Sequence, residues 1–294
     1  MKKSILLFSL LSLTACGLKK QDFTAQVNNE DAAVETAVGS ISGLSDNQAG
    51  ESYLAINNSF KEKVMTEMQN LLLPQAVADD GCVRPIFAAC INGIRESTYN
   101  NCSPANSKAS INGYIRLTYS QANCTLSVSD KVNRTFEVTI SGPRGGSATL
   151  SSANKSDYNG NVYGGGGQLT KTANGFDVEI LGKNISLDYK GVELYNVSIR
   201  TLSTVHISGT LSRQSRLVNG GQIEVNHNKA KFTALFEPHN LQWQSGCCYP
   251  VSGSLSVTYS GSKTGSATVT FNGCGLAQHS DGVQEKPVVL NYCE

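Results

Sequence analysis

The chain has 294 residues, with 24 Lys or Arg against 23 Asp or Glu and a formal net charge of +1. That balance excludes the basic patch or stripe of a nucleic-acid partner and a polybasic membrane-surface role. Charged residues make up only 16% and there are 28 glycines, the usage of a turn-rich β protein with many exposed hydroxyls.

Met1-Lys2-Lys3 opens the chain with positive charge, and an apolar run follows from Ile5 to Leu13, broken by Ser9 and Ser12. The run falls short of the ~20 apolar residues that cross a bilayer, and it has the flanks of a signal-peptide core. Leu13-Thr14-Ala15-Cys16 then resembles the lipobox of bacterial lipoproteins. The resemblance is confined to this N-terminus. It implies a signal peptide over 1–15, cleavage before Cys16, and attachment of diacylglycerol and a further acyl chain such as palmitate to Cys16. Each buried CH₂ contributes roughly 0.8 kcal/mol, so several chains anchor a protein stably to a membrane. Gly17, not Asp, follows the Cys, which by analogy implies sorting to the outer membrane. The resemblance thus places the protein in the bacterial cell envelope. Removing 1–15 takes away Lys2 and Lys3, which leaves 22 basic residues against 23 acidic ones.

Residues 16–44 are poor in large apolar side chains, and the composition predicts a flexible tether behind the lipidated Cys, with transient helix over 32–38. The folded domain is expected over 45–294. It begins with an amphipathic helix over 48–73. Ser45 and Gln48 are spaced as a capping box, and Tyr53, Ile56, Phe60, Val64, Met68 and Leu71 make one apolar face. Pro74 ends the helix because its ring cannot continue the hydrogen-bond ladder.

From about 108 the period changes to two. Ile111, Ile115 and Leu117, then Phe136, Val138 and Ile140, then Phe176, Val178 and Ile180 alternate with polar neighbours. Ile185 and Leu187, Phe232 and Phe236, and Val269 and Phe271 do the same. Asn159-Gly160, Asn174-Gly175, Lys190-Gly191 and Asn219-Gly220-Gly221 mark hairpin turns between them. The pattern predicts a mainly β fold: a curved or partly closed antiparallel meander of about a dozen strands with one N-terminal helix. A two-sheet sandwich is the alternative. A weak echo relates 111–120 to 251–260, which duplication and convergence explain equally well.

Besides Cys16, eight cysteines remain: Cys82, Cys90, Cys102, Cys124, Cys247, Cys248, Cys274 and Cys293. An even number in an oxidising compartment implies disulfides, paired within each group of four. The expected set joins Cys82 to Cys90, Cys102 to Cys124, Cys248 to Cys274 and Cys247 to Cys293. No C-x-x-C pair occurs, so no zinc module is expected.

No G-x-S-x-G, H-E-x-x-H or P-loop occurs. Ser45-Asp46-Asn47, Ser152-Ala153-Asn154-Lys155 and Lys263-Thr264-Gly265 match penicillin-binding fragments in an order that does not suit that family. His206, His227, His239 and His279 are scattered, and Asp177, Glu179, Asp188, Glu193 and Glu224 sit at strand positions expected to face solvent. Gly164 to Gly167 read as a hairpin tip. Tyr114, Tyr163, Tyr195 and Trp243 are candidates for a sugar-binding surface, with core packing the favoured reading. No catalytic residue, cofactor or metal ligand is assigned. The expected function is that of a lipid-anchored envelope protein with a non-enzymatic binding or structural role. The membrane is its partner through Cys16, and an envelope protein or glycan is a candidate partner. A lipid carrier or lipid sensor is the first alternative, and a hydrolase with an unrecognised site the second.

Overall fold

The computed structural model describes residues 33, 34, 36–38, 82, 88–103, 109–209, 216–244, 247 and 249–289. The expected signal peptide, Cys16 and the helix expected over 48–73 lie outside the described residues, as do Cys248 and Cys293.

The described body is a mainly antiparallel β meander. Its strands are β1 (Ile94–Cys102), β2 (Ser110–Tyr119), β3 (Lys131–Ser141), β4 (Gly146–Ser151), β5 (Lys155–Ser156), β6 (Val162–Tyr163), β7 (Gly166–Lys171), β8 (Gly175–Tyr189), β9 (Val192–Ser203), β10 (Val205–Ser208), β11 (Leu217–Asn219), β12 (Gln222–His227), β13 (Phe232–Gln242), β14 (Ser252–Gly261), β15 (Gly265–Gly273), β16 (Leu276–Ser280) and β17 (Glu285–Val289). Three pairs of strands share one position each in the sheet. β4 and β7 both lie between β3 and β8, β9 and β10 both flank β8, and β11 and β12 both flank β13. Counted by position, the sheet is therefore a sequential meander twelve strands wide, with β5 and β6 as a separate two-stranded hairpin. The meander expected from the period-two pattern is the architecture found.

One face of the sheet is covered and apolar. Ile115, Phe136, Ile140, Val178, Leu187, Val197, Val225, Phe236, Val257 and Val269 all belong to a single buried cluster. Alternate side chains of a strand point to opposite faces, so this one set fixes the register of each strand. Residues 33, 34 and 36–38 are helical, and Ala33, Val34, Ala37 and Val38 are part of the same cluster. Composition assigned these residues to the tether. Their small apolar side chains instead fall on one helical face and pack into the core, and Thr36 Oγ1 lies 2.6 Å from Tyr195 Oη.

The hairpins follow their turn chemistry. Lys190 and Gly191 both have positive φ, 51° and 80°, as the two-residue β8–β9 turn requires. Asn219-Gly220-Gly221 does not make a hairpin. It carries the chain from β11 into β12 at the same position of the sheet, with Gly221 so close to Thr204 that a Cβ would lie 2.4 Å from its carbonyl oxygen. The expected hairpin tip at Gly164 to Gly167 is also corrected, since Gly166–Lys171 is strand β7. A Cβ at Gly166 would lie 2.0 Å from the Arg134 carbonyl oxygen, so glycine is what lets the two backbones meet.

Disulfides join Cys82 to Cys102, Cys90 to Cys124 and Cys247 to Cys274. Pairing stays within each half of the chain, but the expected partners are wrong. Cys82 is bonded to Cys102 at the end of β1, about 30 Å of extended chain from Cys90 before its start, which keeps Cys82 from Cys90. β2 likewise holds Cys102, opposite Ile111 near its start, away from Cys124 beyond its end. Expectation by closeness in sequence overlooked the strands that run between these cysteines.

Candidate functional site

The outer face carries one dense polar cluster. Residues 152–165 leave the sheet after β4 and return as β7, and Tyr163 of this excursion is fully buried. Its hydroxyl donates to Glu224 Oε1 at 2.6 Å, and Arg200 Nε donates to the same oxygen at 2.8 Å. The Arg200 guanidinium lies over the Tyr163 ring at 4.8 Å. Asn226 Nδ2 donates to the Tyr163 hydroxyl, Thr233 Oγ1 donates to Asn226 Oδ1 at 2.5 Å, and Tyr158 Oη reaches Thr233 at 3.1 Å. Asn184 Nδ2 donates to the carbonyls of Ala153 and Tyr163, both at 3.1 Å. Asp157 accepts the amides of Asn159 and Asn161, each at 2.8 Å.

Burial, together with the hydrogen bond to Glu224, pushes the Tyr163 phenol well above its ordinary range, so it stays a proton donor. Glu224 has an arginine, a tyrosine and an amide on it and is 15% exposed. Its expected place on a solvated face is thereby corrected. A carboxylate whose Oε1 takes all three donors is a clamp that fixes the excursion to β9 and β12.

The remaining sequence candidates are dispersed. His206 Nδ1 lies 2.7 Å from Asp177 Oδ1 at an exposed site, with the His side chain 63% exposed. His239 Nε2 lies 2.8 Å from Ser256 Oγ, and Glu179 accepts from Thr204 Oγ1 at 2.9 Å. Glu193 accepts from Asn196 Nδ2 at 2.8 Å, and Asp188 faces it across the β8–β9 ladder. No group of three or more His, Cys, Asp or Glu that could hold a metal occurs among the described residues. Tyr163, Tyr195 and Trp243 are buried, so of the four aromatics considered for a sugar surface only Tyr114 keeps substantial exposed area, beside Arg116.

The covered face brings together residues that the sequence showed as scattered. Tyr195, His227, Phe232, Tyr259 and His279 form a ladder of ring contacts, with centroids 5.1, 5.3, 6.1 and 6.5 Å apart in turn. His227 is 1% exposed. Its Nδ1 accepts the Ala230 amide at 3.1 Å, which leaves the proton of the neutral ring on Nε2, an atom without a partner. Burial pulls the His227 pKa down to about 4.

Arg134 and Lys183 are among the cations on that face. Arg134 is 5% exposed and its guanidinium lies 5.3 Å from the Phe136 ring. Lys183 reaches the face through a bulge in β8: Gly166 pairs Gly182 and Gly167 pairs Ile180, so Leu181 is extra. Phe176, Val178 and Ile180 point inward before the bulge, and Ile185 and Leu187 after it. Lys183 pairs Ile199 and therefore points inward with it. It is half-buried and has no hydrogen-bond or ion-pair partner among the described residues. Burial and the neighbouring Arg134 charge pull its ammonium pKa down to about 7. A glycine within the strand pattern at Gly182 was the available signal of the bulge.

No family model matches the chain, and no curated protein matches it.

Proposed function

We propose that the protein is a lipid-anchored, non-enzymatic binding module of the bacterial cell envelope. The supporting observation is the set of three disulfides, at Cys82–Cys102, Cys90–Cys124 and Cys247–Cys274, on a chain that opens with a lipobox-like segment. Such cross-links persist in oxidising compartments outside the cytoplasm. They staple a meander that presents β14 and β15 as an exposed array of Ser256, Thr258, Thr268 and Thr270. The charged groups of the outer-face cluster are committed to each other, which suits a rigid scaffold better than proton transfer.

The experiment is expression of the full chain in a bacterial host, followed by fractionation and mass analysis of the N-terminal peptide. The reading expects an acylated Cys16 and membrane recovery that is lost in Cys16→Ser. Recovery of an unacylated protein in the soluble fraction would overturn it.

A further inference from the structure

We propose that one end of the sheet is a membrane-facing rim, whose cationic hairpin turns seat on the anionic headgroups of the leaflet that holds the lipid on Cys16. The proposal deepens the binding-module reading above and rests on its lipid anchor for the choice of that surface.

Topology gathers these turns. The β3–β4, β8–β9, β12–β13 and β14–β15 turns all lie at the same end of the strands. In that order they carry Arg144, then Lys190, then Lys229 and Lys231, then Lys263. Hydrogen bonds tie each turn to the next. The Lys190 amide donates to the Gly145 carbonyl at 2.8 Å, the Lys229 ammonium to the Glu193 carbonyl at 2.8 Å, and the Ser262 amide to the Lys231 carbonyl at 2.9 Å. Neighbouring hairpins in a sheet lie about 10 Å apart, so the row is roughly 30 Å long. Arg144, Lys190, Lys229 and Lys231 are exposed, and Lys263 is half-buried with its ammonium 4.2 Å from the Tyr259 ring.

The two ends of the strands differ in charge. At the opposite end, the turns between β2 and β3, β7 and β8, β13 and β14, and β15 and β16 hold one charged residue, Asp130, and the β10–β11 connection adds Arg213 and the buried Arg216. At the rim, Asp188 and Glu193 flank Lys190, and the β16–β17 turn carries Asp281. The cationic sector therefore runs from β3 to β15. Whole-chain balance, which argued against a polybasic surface, does not register which turns share an end. The N-terminal segment meets the body at this same end: Thr36 Oγ1 lies 2.6 Å from Oη of Tyr195, near the start of β9. Cys16 and Ala33 are 17 positions apart, a reach of at most about 60 Å of extended chain. The lipid thus holds the rim, and not the far end, beside the leaflet. Acyl chains and a basic patch act together in membrane attachment, and each cation at an anionic surface strengthens binding about fivefold.

The test follows lysine acetylation by peptide mass analysis. The protein recovered from a bacterial envelope is reconstituted with vesicles of phosphatidylcholine, either alone or mixed with phosphatidylglycerol. Lys190, Lys229 and Lys231 should react at least about fivefold more slowly on the anionic vesicles than on the neutral ones, because the headgroups cover the amines and favour their charged form. Lys131, Lys155 and Lys171, away from the rim, should react at equal rates on both. Salt at about 0.5 M should abolish the difference, because it screens exposed charges beyond a few Å. A second arm uses flotation of the full chain carrying Cys16→Ser. That chain should prefer anionic over neutral vesicles, and adding Lys190→Gln, Lys229→Gln and Lys231→Gln should cut the preference by about tenfold or more. All three side chains are exposed, so the melting temperature should not change.

Equal acetylation of the rim lysines on both kinds of vesicle, protection of Lys131 and Lys171 in their place, or an unchanged preference in the triple Gln variant would overturn the rim. A protein acylated at Cys16 whose rim lysines react equally loses this contact and keeps its anchor. An unacylated one that prefers anionic vesicles through these lysines keeps the contact and loses the anchor.

Discussion

Acidification should destabilise this fold in a window set by one histidine. His227 is buried between Tyr195 and Phe232, and its pKa falls from 6.5 to about 4 on folding. The unfolded chain therefore binds a proton between pH 6.5 and pH 4 that the folded chain refuses. Stability is full above pH 6.5 and declines as pH falls toward 4. The drop amounts to about 3 kcal/mol when complete and to about 2 kcal/mol at pH 5. The lowered carboxyls of Asp130, held by Gln121, and Asp281, held by the Gln284 amide, lose their contribution only at lower pH. Lys183 acts in a separate window above pH 7. The assay is urea unfolding at pH 7 and pH 5 with disulfides intact, on wild type and His227→Asn. Asn keeps an acceptor for the Ala230 amide and cannot titrate here. Wild type should lose about 2 kcal/mol between the two pH values and the variant almost none. An equal loss in both proteins would refute the reasoning.

Four further outcomes are expected. Lys183→Met should raise stability at pH 7 by on the order of 2 kcal/mol, allowing for solvent screening of a half-buried group; a lower melting temperature would count against an inward, uncompensated ammonium. Removing the Cys90–Cys124 bridge by double Ala substitution should cost about 3–4 kcal/mol in the chain-entropy model for its separation of 34 residues, and denaturant curves would show an effect near zero if the loop were not closed. Gly166→Ala should leave little folded protein because of the Arg134 carbonyl, whereas Gly191→Ala meets nothing within 4 Å and should cost only about 1 kcal/mol for its positive φ; similar melting temperatures would contradict this contrast. Tyr163→Phe should cost about 1–3 kcal/mol by removing one hydrogen bond each from Glu224 and Asn226, and thermal unfolding indistinguishable from wild type would remove the clamp.

The sheet was legible because a buried face writes itself as a period of two. Phe136, Val138 and Ile140 alternate in sequence and are buried together. Turn chemistry at Lys190-Gly191 was legible for the same local reason. What depends on distant pairing was not. Tyr163 and Glu224 meet across 61 positions of sequence, and no local pattern predicts that meeting. The disulfides obey strand direction, which composition does not reveal. Lys183 was hidden by a parity break, since a single extra residue moves every later side chain to the other face. Helix was expected over 32–38, but the packing of Ala33, Val34, Ala37 and Val38 into the core was missed because Ala and Val are small.

Intact mass of the protein recovered from the bacterial envelope under non-reducing conditions tests the central claim most directly. The account predicts a chain beginning at Cys16, heavier by its acyl groups and lighter by two hydrogens for each disulfide. A full-length chain starting at Met1, without fatty acid and with free thiols at Cys82, Cys90, Cys102 and Cys124, would contradict it.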